Sequence, residues 1–352
     1  MTHLEFVKAW LRYLPMNVSL PGLVRWRPLR EPKSGYSIII GCMNNMPAIA
    51  IANVAFIAKM HLPNMRRLIL VFDVEESKIS YKQQVLDAAQ NLPIEIIGYD
   101  AKQAAVAKFF SWGWVYSWLS WTKGIAIADT RYALLHDLDA MPTNPHLFED
   151  LYEQMQSHNS MFQGIRSYTN QYFSAESGLV RTFEMFVDIQ KLRQDFSPFD
   201  AFNKVKLVNG NLVIYDTFLY IQSQTNSCHL ASAITQDKLV HPSQLISQYT
   251  DFLRNRVTKG FWEKYANLPL FPIYNFLGEN PTLLNSIILH IQSSQDPNLP
   301  FMGKSINFSG VPSHHWQWIW EQARTLQIAY YGDLNPEIEQ YINSVKAVYD
   351  EG

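Results

Sequence analysis

The chain has 352 residues, of which 47% are hydrophobic, 14% aromatic and 17% charged, and this composition excludes a disordered chain. Its net charge of −2 provides no basic surface for nucleic acid, so nucleic-acid-binding proteins are excluded as well. Two cysteines, Cys42 and Cys228, are too few for a disulfide framework or a cysteine metal site, which fits a reducing compartment.

Residues 1–35 are predicted to form an N-terminal arm packed on the main domain. A short helix is expected over 4–13, and four prolines between positions 15 and 32 exclude its continuation. The first residues lack a basic region followed by an apolar core, and no run of about 18 apolar residues follows. The sequence therefore predicts a cytoplasmic protein, with a peripheral contact to the inner face of a membrane left open.

Residues 36–142 alternate between apolar runs and helical segments. Strands are predicted over 36–42, 67–72, 94–99 and from 131 onward, and helices over 48–60, 75–90 and 103–129. Continuous apolar runs are typical of strands that are buried on both faces of a parallel sheet. The alternation predicts an α/β fold with a mainly parallel central sheet flanked by helices, and we interpret this half as nucleotide-binding.

Residues 143–310 are predicted to form the second half of the same domain, and 311–352 a helical C-terminal tail. Helices are predicted over 144–158, 181–192 and 242–265, and strands over 160–166, 206–215 (bent at Gly210) and 286–291. The tail is predicted to contain helices over 314–329 and 336–349.

Two carboxylates, Asp137 and Asp139, follow the fourth strand, and Pro142 prevents its continuation. In open α/β sheets, ligands bind outside the carboxyl ends of the strands. Carboxylate oxygens placed there suit Mg²⁺ or Mn²⁺ together with a substrate phosphate. The structural alternative is an ordinary Asp-initiated turn. The neighbouring His136 is predicted to point to the opposite face of its strand, into the core.

The strand–Asp-Leu-Asp–Pro pattern resembles the DxD motif of nucleotide-sugar-dependent glycosyltransferases with the GT-A fold. The resemblance covers roughly residues 36–305, and it implies that residues 36–310 form a catalytic domain whose second half, 143–310, binds the acceptor. It implies that Asp139 ligates Mn²⁺ or Mg²⁺, with Asp137 on the metal or on the donor ribose. It further implies that Asn44 and Asp73, at the ends of the first two strands, hold the nucleoside, and that Lys123 contacts the donor. A solvated helix lysine is the alternative for Lys123.

The second half is similar to the retaining family 8 glycosyltransferases at several short segments that occur in the family's order. Residues 208–214 resemble its Asn-x-Gly strand, with the glycine one position early, and 272–275 its Pro-x-x-Tyr-Asn segment. Gln236-Asp237 is similar to its Asp-Gln-Asp, with Thr235 in place of the first acid. The resemblance implies that His290 completes the metal site and that Lys304 holds the diphosphate, although the His-to-Lys spacing is longer and the Lys-Pro-Trp ending is absent.

Two catalytic candidates follow from these segments, Asn209 and Asp237. An inverting transferase needs a carboxylate as general base, whereas a retaining one does not, and Asp237 suits either scheme. An ordinary helix N-cap is its structural alternative, and a structural histidine is the alternative for His290.

The aromatic residues between 109 and 121 form a dense block on a predicted helix. Trp114, Trp118 and Trp121 share one helix face, and such a stripe usually belongs to the core. Stacking on acceptor sugar rings and contact with a membrane surface are the other interpretations.

The sequence thus predicts a metal-dependent glycosyltransferase, with retention favoured over inversion, that uses a nucleoside diphosphate sugar, UDP-linked, and a glycan or lipid-linked acceptor. A sugar nucleotidyltransferase is the first alternative, but residues 41–46 lack the basic, glycine-rich phosphate loop of that class. A non-catalytic domain that binds glycans or assists assembly is the second. The sequence predicts no oligomeric state.

Overall fold

The computed structural model describes residues 3–166, 179–208, 210–225, 227–230, 238–254, 265–294 and 296–349. The strands are β1 (Lys33–Cys42), β2 (Met65–Phe72), β3 (Ile94–Gly98), β4 (Thr130–His136), β5 (Met141–Pro142), β6 (Phe162–Arg166), β7 (Val180–Asp188), β8 (Lys204–Val208), β9 (Asn211–Tyr215), β10 (Cys228–Leu230), β11 (Leu239–Val240), β12 (Leu299–Phe301) and β13 (Lys304–Ile306).

The α-helices are α1 (His3–Ser19), α2 (Pro47–Ala58), α3 (Lys82–Ala89), α4 (Ala101–Phe110), α5 (Gly113–Ile127), α6 (Leu147–His158), α7 (Ile189–Asp195), α8 (Leu219–Ser223), α9 (Leu245–Leu253), α10 (Phe271–Leu277), α11 (Thr282–Ser293), α12 (Ser313–Tyr331) and α13 (Pro336–Tyr349). Among the described residues, no helix combines the length and the apolar character needed to cross a bilayer.

The central sheet has the strand order β10-β6-β7-β4-β1-β2-β3. Strand β1 runs parallel to β2 and β4, β2 runs parallel to β3, and β6 runs parallel to β10. Strand β7 is antiparallel to both of its neighbours, β4 and β6. This mixed, mainly parallel sheet with flanking helices confirms the predicted fold class, and it aligns the carboxyl ends of β1, β2 and β4 at one edge.

The sheet separates two hydrophobic cores, and successive residues of β1 enter them alternately. Ile38 and Ile40 join α2 and the C-terminal helices on one face, whereas Ile39 joins Trp118 of α5 on the other. Because both faces are covered, the strand is a continuous apolar run, as the sequence indicated. Trp316 and Tyr341 anchor α12 and α13 in the first core, which confirms the helical tail. The division at residues 35 and 310 stays a prediction.

The prediction of a helix over 181–192 is wrong. Residues 180–188 form β7, which pairs with β4 on one side and β6 on the other, and α7 begins only at Ile189. The segment is rich in aromatic and apolar side chains that fit a buried strand. Pairing on both sides satisfies its backbone groups, and a sequence window contains no information about that pairing.

Two further strand predictions are wrong. Residues 206–215 are not one bent strand but the hairpin β8–β9, in which Val208 pairs with Asn211. Gly210 has a φ of +78°, a backbone conformation that glycine adopts without steric cost and that reverses the chain. Residues 286–291 lie in helix α11, where positions 283, 284, 287 and 288 are buried at helical spacing.

The N-terminal helix is longer than predicted. Helix α1 continues through Pro15 to Ser19, although proline removes one backbone hydrogen bond. Tyr13 and Met16 are buried on its inner face, and Leu20, directly after the helix, is buried as well. The burial of these three side chains, at about 1.5–3 kcal/mol for a fully buried large apolar side chain, offsets the missing bond.

Candidate active site

The two acids lie in a tight turn at the carboxyl end of β4. The amide of Ala140 donates to the carbonyl oxygen of Asp137 at 3.1 Å, and the chain then enters β5. Strand β5 pairs antiparallel with β11, with Val240 opposite Met141. Because His241 directly follows β11, this short pairing brings an imidazole from the second half of the chain to the two carboxylates.

Asp137, Asp139 and His241 form a compact cluster of ligand atoms. The Nε2 atom of His241 lies 3.5 Å from Oδ1 of Asp139 and 3.6 Å from Oδ2 of Asp137. One ligand atom from each residue lies within 4.8 Å of the others. The ring of Phe183 stacks on His241 with ring centroids 3.9 Å apart and fixes its orientation. Asp139 is buried, and Asp137 is partly open to the cleft.

The electrostatics of the cluster favour a bound cation. Burial and the charge of Asp139 raise the pKa of Asp137 to about 7, against smaller opposing effects of His241 and His136. Burial lowers the pKa of His241, but the hydrogen bond and charge of Asp139, with Asp137, outweigh it and raise the pKa overall. Two carboxylates and one imidazole are a donor set that Mn²⁺ and Mg²⁺ accept, so these residues fit the predicted metal.

Buried polar groups hold the backbone of the acidic turn in place. The side-chain amide of Asn53, in the middle of α2, donates to the carbonyl oxygens of Leu138 at 2.9 Å and Ala140 at 2.8 Å. The hydroxyl of Tyr274, in α10, donates to the carbonyl oxygen of Asp139 at 3.0 Å. The turn is therefore fixed from two helices, which pre-organises its carboxylates.

His136 is fully buried, which confirms its prediction as a core residue. Its Nδ1 atom lies 2.6 Å from Oε2 of Glu184, a buried acid on β7, and its Nε2 atom lies 3.2 Å from the amide nitrogen of Asn53. An Nδ1-protonated ring donates to Glu184 and leaves Nε2 without a proton beside the Asn53 amide, whose two hydrogens are directed to the carbonyl oxygens of Leu138 and Ala140.

The cluster opens into a cleft of about 540 Å³. Asp73, at the end of β2, and Asp216, after β9, also line it, as do two cations, Arg12 and Arg254. Asp73 accepts a hydrogen bond from the backbone amide of Asn44 at 2.8 Å, and burial raises its pKa. The walls of the cleft therefore carry acids, cations and aromatic rings within one volume large enough for a ligand.

The aromatic block divides between the core and the cleft. Trp118 is buried, and its indole donates to the carbonyl oxygen of Pro198 at 2.7 Å. Trp112 and Trp114 line the cleft, where Trp112 contacts Arg12 at 5.2 Å from the guanidinium carbon to the ring centroid. The core interpretation therefore holds for Trp118, whereas Trp114 of the same stripe lines the cleft.

The structure does not bring every predicted site residue to the cluster. His290 lies on α11, where its Nε2 is 3.3 Å from the carbonyl oxygen of Asp296, and His241 is the histidine beside the acids. Lys304 donates to the carbonyl oxygens of Phe252 and Leu253 at the end of α9.

Lys123 donates to Oε1 of Gln103 at 2.8 Å, and burial lowers its pKa. Neither Lys123 nor Lys304 is among the described residues that line the cleft. Asn209 and Asp237, the two catalytic candidates, lie outside the described residues.

Sequence reasoning missed His241 and Asp216. A signal for His241 was present, because Leu239-Val240 is a short apolar pair and Pro242 follows the histidine, much as Pro142 follows Met141. Its significance depends on the β5–β11 pairing, which the sequence does not reveal. Asp216 follows the apolar run of β9, whose direction only the hairpin determines.

Similarity to known proteins is found among solved structures, and it is weak. No family model matches the chain. No curated protein matches its sequence either. Solved structures with a similar course of the chain include residues 1–349 of TarS from S. aureus, at 13% identity over 89% of this chain and 90% of that one, with a TM-score of 0.40.

A second is the galactosyltransferase LgtC in complex with donor and acceptor sugar analogs, at 11% identity over 65% of this chain and 82% of that one, with a TM-score of 0.40. A third is the mannosyltransferase PcManGT from Pyrobaculum calidifontis in complex with GDP-Man and Mn²⁺, at 9% identity over 99% of this chain and 86% of that one, with a TM-score of 0.40. At identities and TM-scores this low, what these proteins bind does not transfer to the present chain.

Proposed function

We propose that this protein is a metal-dependent glycosyltransferase that moves a sugar from a nucleoside diphosphate sugar, UDP-linked, to a glycan or lipid-linked acceptor. The observation that carries the proposal is the cluster of Asp137, Asp139 and His241 at the carboxyl edge of the sheet. It faces a cleft that is large enough for a nucleotide sugar. We further propose that the reaction belongs to polysaccharide or glycoconjugate biosynthesis in the cytoplasm, with retention of configuration favoured over inversion by the resemblance of residues 208–214, 236–237 and 272–275 to family 8.

In this proposal, Asp137, Asp139 and His241 hold Mn²⁺ or Mg²⁺. When bound, such an ion offsets the negative charge that develops on a diphosphate leaving group. The protein's own task is to keep the ligands in position, which the contacts of Asn53 and Tyr274 with the acidic turn support.

The nucleoside is proposed to bind where β1 and β2 end, with Asp73 as acceptor for its hydroxyl groups and Asn44 holding Asp73 in place. Arg12 and Arg254 line the same cleft and supply positive charge for phosphate oxygens, a task that the sequence assigned to Lys304. Trp112 and Trp114 line the cleft and supply aromatic surface for contact with a sugar ring.

Calorimetric titration with UDP, with and without Mn²⁺, tests the proposal. The parent protein is expected to bind UDP more tightly with the metal, and Asp139→Asn is expected to lose that increase. Asp150→Asn is the matched control, because Asp150 is an exposed acid in the first turn of α6, away from the cleft lining. Equal UDP affinity with and without Mn²⁺ in the parent protein would contradict the metal role.

The reaction class is tested separately by supplying sugar nucleotides one at a time and measuring release of the nucleoside diphosphate. Turnover of one donor, dependent on Asp139, is the expected result. Release of pyrophosphate from UTP and a sugar 1-phosphate would instead identify a nucleotidyltransferase. Metal-dependent binding without any turnover would identify a binding subunit.

A further inference from the structure

The outer face of α1 carries an exposed apolar stripe. Leu4 is 62% exposed, Val7 46%, Leu11 52% and Val18 73%. At 3.6 residues per turn, these positions fall within about 60° of the helix circumference. Solvent-exposed apolar side chains are ordinary when scattered, but a continuous stripe along one helix indicates a surface that binds something.

The stripe is held facing outward because the opposite side of α1 is firmly packed. Tyr13 stacks on Trp114, with ring centroids 5.7 Å apart, and its ring edge meets Phe202 at 6.5 Å. Met16 is completely buried in the same core. The helix therefore cannot turn its apolar stripe inward without losing these contacts.

The stripe is accompanied by positive charge. Residues 3–33 contain six Lys or Arg and two Glu, a net charge of +4 in a chain whose total is −2. Arg25, Arg27 and Arg30 are exposed, and Trp26 fixes this stretch on α5 by donating to the carbonyl oxygen of Thr122 at 2.9 Å. Helix α1 and this stretch pack on the same core, so the basic residues and the stripe belong to neighbouring parts of the surface.

The stripe lies beside the opening of the cleft. Arg12, on α1, lines the cleft and lies over the ring of Trp112. Trp112 contacts Phe110 at 6.5 Å, and Phe110 contacts Phe109 at 5.2 Å between ring centroids. Phe109 is 80% exposed, so this chain of rings ends in another apolar side chain at the surface.

We propose that the stripe of α1, with Phe109 and the basic residues 25–33, docks on the surface of an anionic lipid bilayer. An apolar helix face flanked by Lys and Arg is the pattern that binds at a membrane interface, with the apolar side chains among the acyl chains and the cations near anionic headgroups. Docking in this way presents the cleft to a lipid-linked acceptor in the same membrane. That last consequence rests on the proposed function, whereas the docking does not.

Co-sedimentation of the full-length protein with vesicles tests the docking directly. We expect binding to vesicles of phosphatidylcholine with phosphatidylglycerol, and weak binding to phosphatidylcholine alone. The triple variant Arg25→Ser, Arg27→Ser, Arg30→Ser is expected to bind anionic vesicles roughly 100-fold more weakly, because each cation contributes roughly fivefold at such a surface. High salt is also expected to weaken the binding of the parent protein to anionic vesicles.

The apolar contribution is tested with the double variant Leu4→Glu, Leu11→Glu, and independently with Val18→Glu. Leu289→Glu is the matched control, because Leu289 is 64% exposed on α11, a different helix. We expect the α1 variants to lose vesicle binding, and the control to retain it, while all keep the parent's circular dichroism and unfolding midpoint. The proposal is overturned if the parent protein ignores anionic vesicles or if the α1 variants bind as the parent does. It is also overturned if the stripe proves to be a dimer interface. In that case the parent protein would be a dimer that binds no vesicles, and the α1 variants would change its sedimentation coefficient.

Discussion

Asn53 and Ala140 are joined by a hydrogen bond of 2.8 Å between the side-chain amide of α2 and the backbone of the acidic turn. The amide is fully buried, and it also reaches the carbonyl oxygen of Leu138. A single side chain thus fixes the backbone between and beyond the two proposed metal ligands.

We predict that Asn53→Leu, which keeps similar volume but removes the donor, weakens Mn²⁺ binding and lowers the free energy of unfolding by about 1–3 kcal/mol, because buried carbonyl oxygens lose their partner. Isothermal titration and urea unfolding measure the two effects. Asn64→Leu is the control. It removes an amide hydrogen bond to Glu149 near the start of β2, and should cost stability without altering metal affinity. An unchanged Mn²⁺ affinity in Asn53→Leu would argue against the positioning role.

His241→Ala is predicted to reduce Mn²⁺ affinity by more than the roughly 10–100-fold that loss of a supporting partner costs, because it removes a proposed ligand. His290→Ala tests the earlier assignment from sequence, and it should leave the affinity unchanged, since His290 contacts Asp296 on α11. Manganese titration of both variants measures the difference. A larger loss of Mn²⁺ affinity in His290→Ala than in His241→Ala would identify His290 as the metal ligand.

Metal affinity is predicted to depend on pH. In the metal-free protein the pKa of Asp137 is raised to about 7 and that of His241 is raised above its usual value, so the cluster takes up protons as the pH falls through neutrality. Metal binding must displace these protons, and the Mn²⁺ affinity should therefore fall as the pH falls from about 8 to about 6. Calorimetric titrations in buffers of different ionisation enthalpy measure the protons released on binding. The release should be weak at a pH above the raised pKa values and strong at a pH below them. A pH-independent affinity, with no proton release, is the contrary outcome.

Asp73→Ala is predicted to weaken binding of uridine and of UDP by the same factor, roughly 10–100-fold, because a hydrogen bond to a charged acceptor contributes about 1.5–3 kcal/mol. Asp139→Ala should weaken only the metal-dependent binding of UDP and leave uridine unaffected. The comparison separates the nucleoside end of the cleft from the diphosphate end. Equal effects of both variants on uridine would remove that distinction.

Gly278→Ala is predicted to destabilise the protein by about 1–3 kcal/mol or more through overpacking. A Cβ atom at Gly278 would lie 1.9 Å from the carbonyl oxygen of Ala48, so α10 and α2 would have to separate. These two helices carry Tyr274 and Asn53, and the variant should therefore weaken Mn²⁺ binding as well. Gly113→Ala, where a Cβ has nothing within 4 Å, is the control for urea unfolding. If the two variants have the same free energy of unfolding, α10 and α2 can move apart without cost and the prediction is wrong.

Three of the correctly predicted strands, β1, β2 and β4, are almost completely buried toward their carboxyl ends. Nearly all of these residues are apolar because helices cover both faces of the sheet, so each run is visible in the sequence without knowledge of its neighbours. The segment that became β7 failed because its conformation depends on pairing with β4 and β6 on either side.

The α/β half, the helical tail and the two acids after β4 could be recognised from the residues alone, since each depends on a run of neighbouring residues. The histidine that joins those acids is known only from the fold. His241 arrives through two short strands, β5 and β11, that pair across the two halves of the chain. A side chain's distance from a site is set by such long-range pairing, and residue order does not encode it locally. His290, which the sequence resemblance favoured as the metal ligand, lies on α11. The buried positions of that helix follow a helical period that does not include His290.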